Sequence, residues 1–300
     1  MSDADDHSKD VEFDIVDVDV RAWVEASRAD PTRYRDRQVT EIVLTAIGLA
    51  PSLHTNLVLK GGTAMALAFK STRVTGDVDF TSMVEPAELA ETLTPELNEL
   101  LPKTAIKLGY LDLLCQVQSV KKMPRAENFE DHDFPALRVK IGSAKRGTAE
   151  AARLAEGKAS RVLDVEISFR DQVYTFQELN LMGAGVAVRA FTIHELVAEK
   201  FRALLQQPVR RRNRRQDVYD IAFLIDDHDF SGDDKAKILA TLIEKCRSRA
   251  IDARQASMDD PEIKQRAQAE WDTLALEIGD LPPFNERFEL IRNLYVSLPW

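Results

Sequence analysis

Residues 57–69, LVLKGGTAMALAF, and residues 73–80, RVTGDVDF, follow each other closely and limit what the fold can be. The apolar run predicts a strand, Gly61 and Gly62 predict a turn, and the alanine-rich stretch after them predicts a helix. Such a turn leaves backbone N–H groups bare at a helix N-terminus, where they can bind a phosphate. Two glycines on their own are equally typical of an ordinary turn.

Two carboxylates open the next predicted strand. Asp77 and Asp79 alternate with Val78 and Phe80, and side chains two apart on a strand point to one face. Close carboxylates repel each other unless a cation lies between them, and hard oxygen ligands suit Mg²⁺ or Mn²⁺. The pair therefore indicates a metal site, with a solvated edge strand as the alternative.

A third acid is available on a later strand. Residues 161–169, RVLDVEISF, place Asp164 and Glu166 on the polar face of this predicted strand. One of them beside Asp77 and Asp79 would complete a two-metal site, and we favour Glu166. A half-buried strand with one wet face explains the same alternation.

The pattern of apolar residues changes near residue 190. Strand patterns dominate residues 111–189, except that residues 143–160 predict a loop or a short helix. After residue 191, helical spacing continues to the C-terminus. We therefore predict an α+β domain over residues 20–190 and an all-helical domain over residues 191–300.

Charge is unevenly distributed along the chain. The 300 residues carry 50 acidic and 40 basic side chains, a net charge of -10. Eight acids and Lys9 fall within residues 1–19, which predicts a flexible acidic tail. Positive charge is concentrated elsewhere, in five arginines within six residues. Arginine forks match phosphates, so this run indicates an anion site, with a solvated loop as the alternative. The run consists of Arg210, Arg211, Arg212, Arg214 and Arg215.

Several classes of protein are disfavoured. No apolar run approaches the roughly 20 residues that span a bilayer, and the N-terminus lacks the pattern of a signal peptide. Cys115 and Cys246 stand far apart, which favours a reducing cytoplasm and argues against a thiolate metal site. We expect a cytoplasmic protein that does not enter a membrane.

Two charged residues stand out in the helical half. Lys200 lies close to the apolar stripe of a helix predicted over residues 192–206, where it either faces the first half of the chain or snorkels to solvent. Asp217 opens a helix predicted over residues 215–226, a position that also complements the helix dipole.

Four segments in this order resemble the AbiEii/MenT-type nucleotidyltransferase toxins of bacterial type IV toxin–antitoxin systems. They are LKGGTAMAL at 59–67, RVTGDVDF at 73–80, ELVAEKFRAL at 195–204 and RQDVYDI at 215–221. The resemblance spans about half of the chain. It implies a DNA-polymerase-β-like nucleotidyltransferase fold, in which a mixed sheet with flanking helices precedes an all-helical C-terminal bundle.

The resemblance also implies roles for individual residues. Gly62 and Thr63 would hold nucleotide phosphates, and Lys200 would reach the triphosphate. Arg73 occupies the position of an arginine that precedes the family's acids, although Thr75 stands where the family often has serine. The remaining roles fall to Asp77, Asp79 and Glu166 as metal ligands, Asp217 as the acid of the last motif, and Arg210 to Arg215 as the RNA-binding run.

The implied activity is transfer of a nucleotide from an NTP, CTP or UTP being favoured among relatives. The expected acceptor is RNA at the 3′ end of tRNA, with release of pyrophosphate and arrest of translation and growth. A toxin of this type implies a cognate antitoxin protein. Two alternatives remain open: a nucleotidyltransferase acting on a small molecule or a protein hydroxyl, and a non-catalytic module that binds nucleotide or RNA.

Overall fold

A mixed eight-stranded sheet forms the framework of the computed structural model, which describes residues 14–126 and 128–300. The order across the sheet is β1-β7-β8-β2-β3-β6-β5-β4. The β1–β7, β2–β8 and β3–β6 pairs are parallel, and the other four are antiparallel. The strands are β1 (Ile15–Val18), β2 (Leu57–Lys60), β3 (Asp77–Ser82), β4 (Leu113–Met123), β5 (Ala136–Lys145), β6 (Arg161–Ser168), β7 (Phe176–Leu181) and β8 (Val186–Phe191).

Helices flank the sheet and then account for most of the chain after β8. Six precede that point: α1 (Val20–Glu25), α2 (Pro31–Leu49), α3 (Pro51–Asn56), α4 (Gly61–Ala68), α5 (Pro86–Lys107) and α6 (Ala149–Ala155). Seven follow it: α7 (Ile193–Leu205), α8 (Gln207–Arg210), α9 (Arg215–Asp227), α10 (Gly232–Arg247), α11 (Pro261–Gln268), α12 (Ala275–Ile278) and α13 (Phe284–Val296). The predicted order, a mixed sheet and then helices, is confirmed. In the part of the chain that the structure describes, no helix is long and apolar enough to cross a membrane.

The prediction of a flexible tail over residues 1–19 is wrong for residues 15–19. Ile15–Val18 forms the edge strand β1, and the Asp19 carboxylate caps helix α1 by accepting a hydrogen bond from the Ala22 N–H at 2.8 Å. Val18 anchors this stretch, because its side chain is buried in the core. The rest of the predicted tail, residues 1–13, lies outside the described residues.

Strand β7 has no counterpart among the predicted elements. Its sequence, FQELNL, has alternating burial, but three of its six residues are polar. Gln177 is nevertheless buried, and its side-chain amide donates a hydrogen bond to the Phe191 carbonyl at 3.0 Å. Because Gln177 is a polar residue at a buried position, the sequence does not show the regular apolar–polar alternation that predicts a strand.

One buried carboxylate joins the helical half to the sheet half. Asp220, on α9, has no exposed surface and accepts hydrogen bonds from Arg73 Nε at 2.9 Å and Nη2 at 3.0 Å. It also accepts one from Lys200 Nζ, on α7, at 2.6 Å. Burial opposes ionisation, yet Lys200 and Arg73 hold the pKa of Asp220 below its usual value. Buried charges need such partners, so this cluster sets how the segment before β3 meets α7 and α9.

Asp220→Asn should therefore destabilise the fold strongly. The substitution leaves two buried cations short of an anion, and breaking a buried pair costs about 3–5 kcal/mol. The matched control is Asp226→Asn on the same helix, because Asp226 pairs with Arg287 at the surface and should contribute less than about 1 kcal/mol. Urea unfolding measures both free energies, and equal stability of the two variants would contradict the role given to Asp220.

Candidate active site

Four charged side chains form one register row across the centre of the sheet. Lys60 on β2 lies opposite Asp79 on β3, Asp79 lies opposite Glu166 on β6, and Glu166 lies opposite Arg138 on β5. The row therefore reads base, acid, acid, base. Arg138 Nη2 donates to Glu166 at 3.2 Å, whereas Lys60 Nζ turns to Asp171 at 2.6 Å.

Asp79 is left without a partner in this row. No described residue gives its carboxylate a hydrogen bond or an ion pair. Burial and the neighbouring charge of Asp77 raise the pKa of Asp79 to about 6. A cation bound between the two carboxylates would offset their repulsion and favour the ionised form of Asp79.

Asp77 lies at the start of β3 and is fixed by two threonines. Thr75 Oγ1 donates to the Asp77 carboxylate at 3.1 Å, and Thr63 Oγ1 donates to the Asp77 backbone carbonyl at 2.9 Å. Thr63 is buried, so its hydroxyl holds the strand end in this structure. Its predicted contact with phosphate stays a prediction.

The two glycines predicted as a turn are the first residues of helix α4, which packs closely against the start of β3. Gly61 has a φ of +66°, and a Cβ there would lie 2.2 Å from Asp79 Oδ2. A Cβ at Gly62 would lie 2.7 Å from Thr75 Oγ1. The two glycines therefore allow the start of α4 to approach the acids of β3 closely.

The acids fit a divalent cation that shares its ligands with a nucleotide. Asp77 and Asp79 offer hard oxygens on one face, and Mg²⁺ is commonly held by one or two carboxylates together with substrate phosphates. Within residues 14–126 and 128–300, no group of three or more His, Cys, Asp or Glu side chains is arranged to hold a metal by itself. Glu166, expected as the third ligand, is paired with Arg138 instead. Its metal role therefore stays a prediction.

Of the two candidates for the third acid, Glu166 is the more central. It stands opposite Asp79, whereas Asp164 stands opposite Asp77 and lies 4.0 Å from Lys140. The preference for Glu166 as the third acid stays a prediction.

The site lies in a cleft with two lobes. One, which we call the acidic lobe, has a volume of about 780 Å³ and is lined by Gly62, Asp77 and Asp164 among others. The other, the arginine lobe, has a volume of about 600 Å³ and is lined by Phe134 and Arg249 among others. Both lobes share Gly61, Asp79, Arg138, Glu166, Lys200, Arg214 and Asp217.

Lys200 faces the cleft rather than snorkelling to the outer surface. Its Nζ donates to Asp217 at 3.2 Å and to Asp220 at 2.6 Å. Asp217 Oδ2 is buried and receives no hydrogen bond from the described residues. Helices α7 and α9 thus bring together the lysine and the acid that the sequence singled out.

Asp220 and Lys60 are two of the charged residues that sequence reasoning missed, and Arg138, Asp171 and Arg249 are others. Asp220 lies three residues after Asp217, a spacing that places both acids on one helix face and was visible in the sequence. Lys60 interrupts the apolar run before the glycines, but its place beside Asp79 depends on the pairing of β2 with β3.

The remaining predicted residues are the arginines, and only some of them line the cleft. Arg210, Arg212 and Arg214 line the arginine lobe. Arg211 is exposed outside both lobes, and Arg215 pairs with Glu270 at 3.3 Å. Arg73 lines the acidic lobe, but its guanidinium is engaged by Asp220 and by Glu277 at 3.2 Å. Its predicted contact with nucleotide stays a prediction.

Comparison with known proteins identifies one family. The family model described as "Nucleotidyl transferase AbiEii toxin, Type IV TA system" matches residues 43–291. MenT4, a nucleotidyltransferase toxin from Mycobacterium tuberculosis, has a similar structure with a TM-score of 0.53 and 16% identity, over 93% of this chain and 89% of that chain. A crystallised Helicobacter pylori protein assigned as a nucleotidyltransferase has a TM-score of 0.51 and 15% identity, over 87% of this chain and 92% of that chain. Among curated proteins, none matches this sequence. The predicted fold is confirmed by these structures.

Gly61→Ala should weaken metal binding at the acids. The added Cβ meets Asp79 Oδ2 and is strained at positive φ, so the carboxylate must move. Displacing a ligand's support typically lowers metal affinity by about 10-fold or more. Binding of Mn²⁺, followed by electron paramagnetic resonance with a non-hydrolysable NTP analogue present, measures the effect.

Gly76→Ala is the matched control for this change. Gly76 also lines the acidic lobe, but a Cβ there would have no atom within 4 Å. It should bind Mn²⁺ like the wild type. If Gly61→Ala also binds Mn²⁺ with wild-type affinity, the acids of β3 do not hold the metal.

Proposed function

We propose, from the premise that the chain belongs to the AbiEii family of nucleotidyl transferase toxins of type IV toxin–antitoxin systems, that it transfers a nucleotide from an NTP to the 3′ end of tRNA. The observation that carries the proposal is the pair Asp77 and Asp79 beside Gly61 and Gly62, where Asp79 receives no hydrogen bond or ion pair from the described residues. We expect a pyrimidine nucleotide, CTP or UTP, as the substrate.

Asp77 and Asp79 would hold Mg²⁺ or Mn²⁺ together with the phosphates. The bound cation supplies charge neutralisation and Lewis acidity at the α-phosphate. Gly62 and the N-terminus of α4 offer backbone N–H groups to the β- and γ-phosphates. The triphosphate would then lie along the acidic lobe, where Gly62 is placed.

Lys200 would stabilise the charge that develops on the leaving pyrophosphate. Asp217 and Asp220 hold its Nζ, and Lys200 lines both lobes of the cleft. An ammonium fixed before the substrate arrives needs little reorganisation during the reaction. Positioning and electrostatics account for most catalysis in such transfers.

Glu166 would accept the proton of the attacking hydroxyl. It stands opposite Asp79 in the sheet and lines both lobes, so it borders the triphosphate and the acceptor. As the acceptor oxygen bonds to the α-phosphorus, the bond to pyrophosphate breaks and the proton passes to the carboxylate. Arg138 would have to move from Glu166 when substrates bind.

The arginines favour RNA as the acceptor. Arg210 and Arg212 line the arginine lobe and have no acidic partner among the described residues, so they are available to phosphates. Adding a nucleotide to the 3′ end of tRNA would prevent its aminoacylation and thereby stop translation and growth. A cytoplasmic site of action and control by a cognate antitoxin protein belong to the same proposal.

Purified protein incubated with total tRNA, Mg²⁺ and each α-labelled NTP in turn tests the proposal. We expect label on tRNA with CTP or UTP. Asp77→Asn/Asp79→Asn should lower the rate on the order of 100-fold or more, because the transition-state charge loses its support. Asp112→Asn/Asp252→Asn, two exposed aspartates changed in the same way, should match the wild type. The proposal fails if no NTP labels tRNA or if the first double variant labels it normally.

A further inference from the structure

We propose that Phe134, with Arg210 and Arg249, forms a stacking platform for an unpaired nucleobase of the acceptor RNA. The proposal rests on the proposed function, because it assigns the arginine lobe to that acceptor. It adds a site for the base, whereas the arginines by themselves account only for contacts with phosphates.

Phe134 is unusual among the aromatic residues of the arginine lobe. It lies between β4 and β5 and is 36% exposed, whereas Phe169 and Phe191, which line the same lobe, are buried. The Arg249 guanidinium carbon lies 3.7 Å from the centre of the Phe134 ring, and that of Arg210 lies 4.5 Å from it. Unpaired bases stack on aromatic rings and on arginine planes, so this group has the composition of a base-binding surface.

One arginine of the platform is fixed and the other is free to engage phosphate. Arg249 Nη2 pairs with Asp171, which also accepts hydrogen bonds from Lys60 Nζ and Ser168 Oγ at 2.6 Å each. Lys60 in turn stands opposite Asp79, so the platform is tied to the reacting centre. Arg210 is exposed and has no acidic partner among the residues described.

The arrangement of the cleft assigns the platform to the acceptor rather than to the NTP. In-line displacement places the acceptor hydroxyl and the leaving pyrophosphate on opposite sides of the α-phosphorus. Gly62, at the start of α4, lines only the acidic lobe, and Phe134 lines only the arginine lobe. We therefore assign the base beside Phe134 to the attacking molecule, and the NTP affinity of the Phe134 variants tests this assignment against the base of the NTP.

The charges of the two lobes agree with this assignment. Eight basic and five acidic side chains line the arginine lobe, whereas four basic and seven acidic ones line the acidic lobe. A polyanion is attracted to the first, and a metal-bound triphosphate suits the second. Because a base must leave its duplex to stack on a ring, the platform favours a single-stranded 3′ end over a blunt duplex.

Fluorescence anisotropy with a labelled single-stranded RNA 12-mer, in the absence of NTP, tests the platform. Phe134→Ala should raise the Kd for RNA by about 10-fold, within the range measured for loss of one stacked base. Phe134→Trp should keep or improve the affinity, since the indole also stacks. The affinity for CTP or UTP, measured by calorimetry with Ca²⁺, should be unchanged in both variants.

Two further variants separate stacking from charge and from general damage. Arg210→Gln should reduce the salt dependence of RNA binding by about one phosphate contact, whereas Phe134→Ala should leave it unchanged. Tyr174→Ala removes an aromatic side chain of similar exposure outside both lobes and should bind RNA like the wild type.

The inference is overturned if Phe134→Ala binds RNA normally, if it loses affinity for the NTP instead, or if the wild type does not bind RNA. These outcomes are distinguishable from failure of the transferase proposal. If the Phe134 variants behave as expected but no NTP labels tRNA, the platform stands and the transfer to tRNA does not.

Discussion

The ion cluster of Asp220 with Arg73 and Lys200 is the contact on which the geometry of the cleft depends. Asp220 is fully buried and pairs with both cations, of which Arg73 comes from the segment before β3 and Lys200 from α7. Arg73 precedes β3, so the cluster helps to position the strand that carries the two acids. Lys200 is held by the same carboxylate at the border of both lobes. The Asp220 carboxylate thus contributes both to the stability of the fold and to the position of the reactive groups.

The register row shows how the protein leaves a negative charge available. Lys60 and Arg138 stand at the ends of the row, yet Lys60 bonds to Asp171 and Arg138 bonds to Glu166. Asp79, between them, receives neither. A half-buried carboxylate with no hydrogen bond is unfavourable, and binding of a cation with its nucleotide would offset that cost. The same logic explains the two glycines, which allow the helix start to approach Asp79 without a side chain between them.

Sequence reasoning succeeded where local spacing decides the structure. The strand before Gly61, the helix after it, and the shared face of Asp77 and Asp79 follow from neighbouring residues alone, although the predicted turn at Gly61 and Gly62 is part of the helix. Lys60 and Phe134 were missed because their roles depend on strand pairing and on contacts with α8 and the residues after α10. The spacing of Asp220 from Asp217 can be read from the sequence, but its contacts with Arg73 and Lys200 depend on the fold. The strand at Ile15–Val18 was overlooked since the surrounding acids dominated the composition.

The most direct test of the account follows both ends of the triphosphate in one reaction. Parallel incubations of the protein with tRNA and either α-labelled or γ-labelled NTP would show which bond is broken. If the protein transfers a nucleotide, the α-label joins the RNA and the γ-label leaves in an equal amount of pyrophosphate. Appearance of the γ-label on the RNA, or its release as free phosphate without transfer of the α-label, would contradict nucleotidyl transfer at this site.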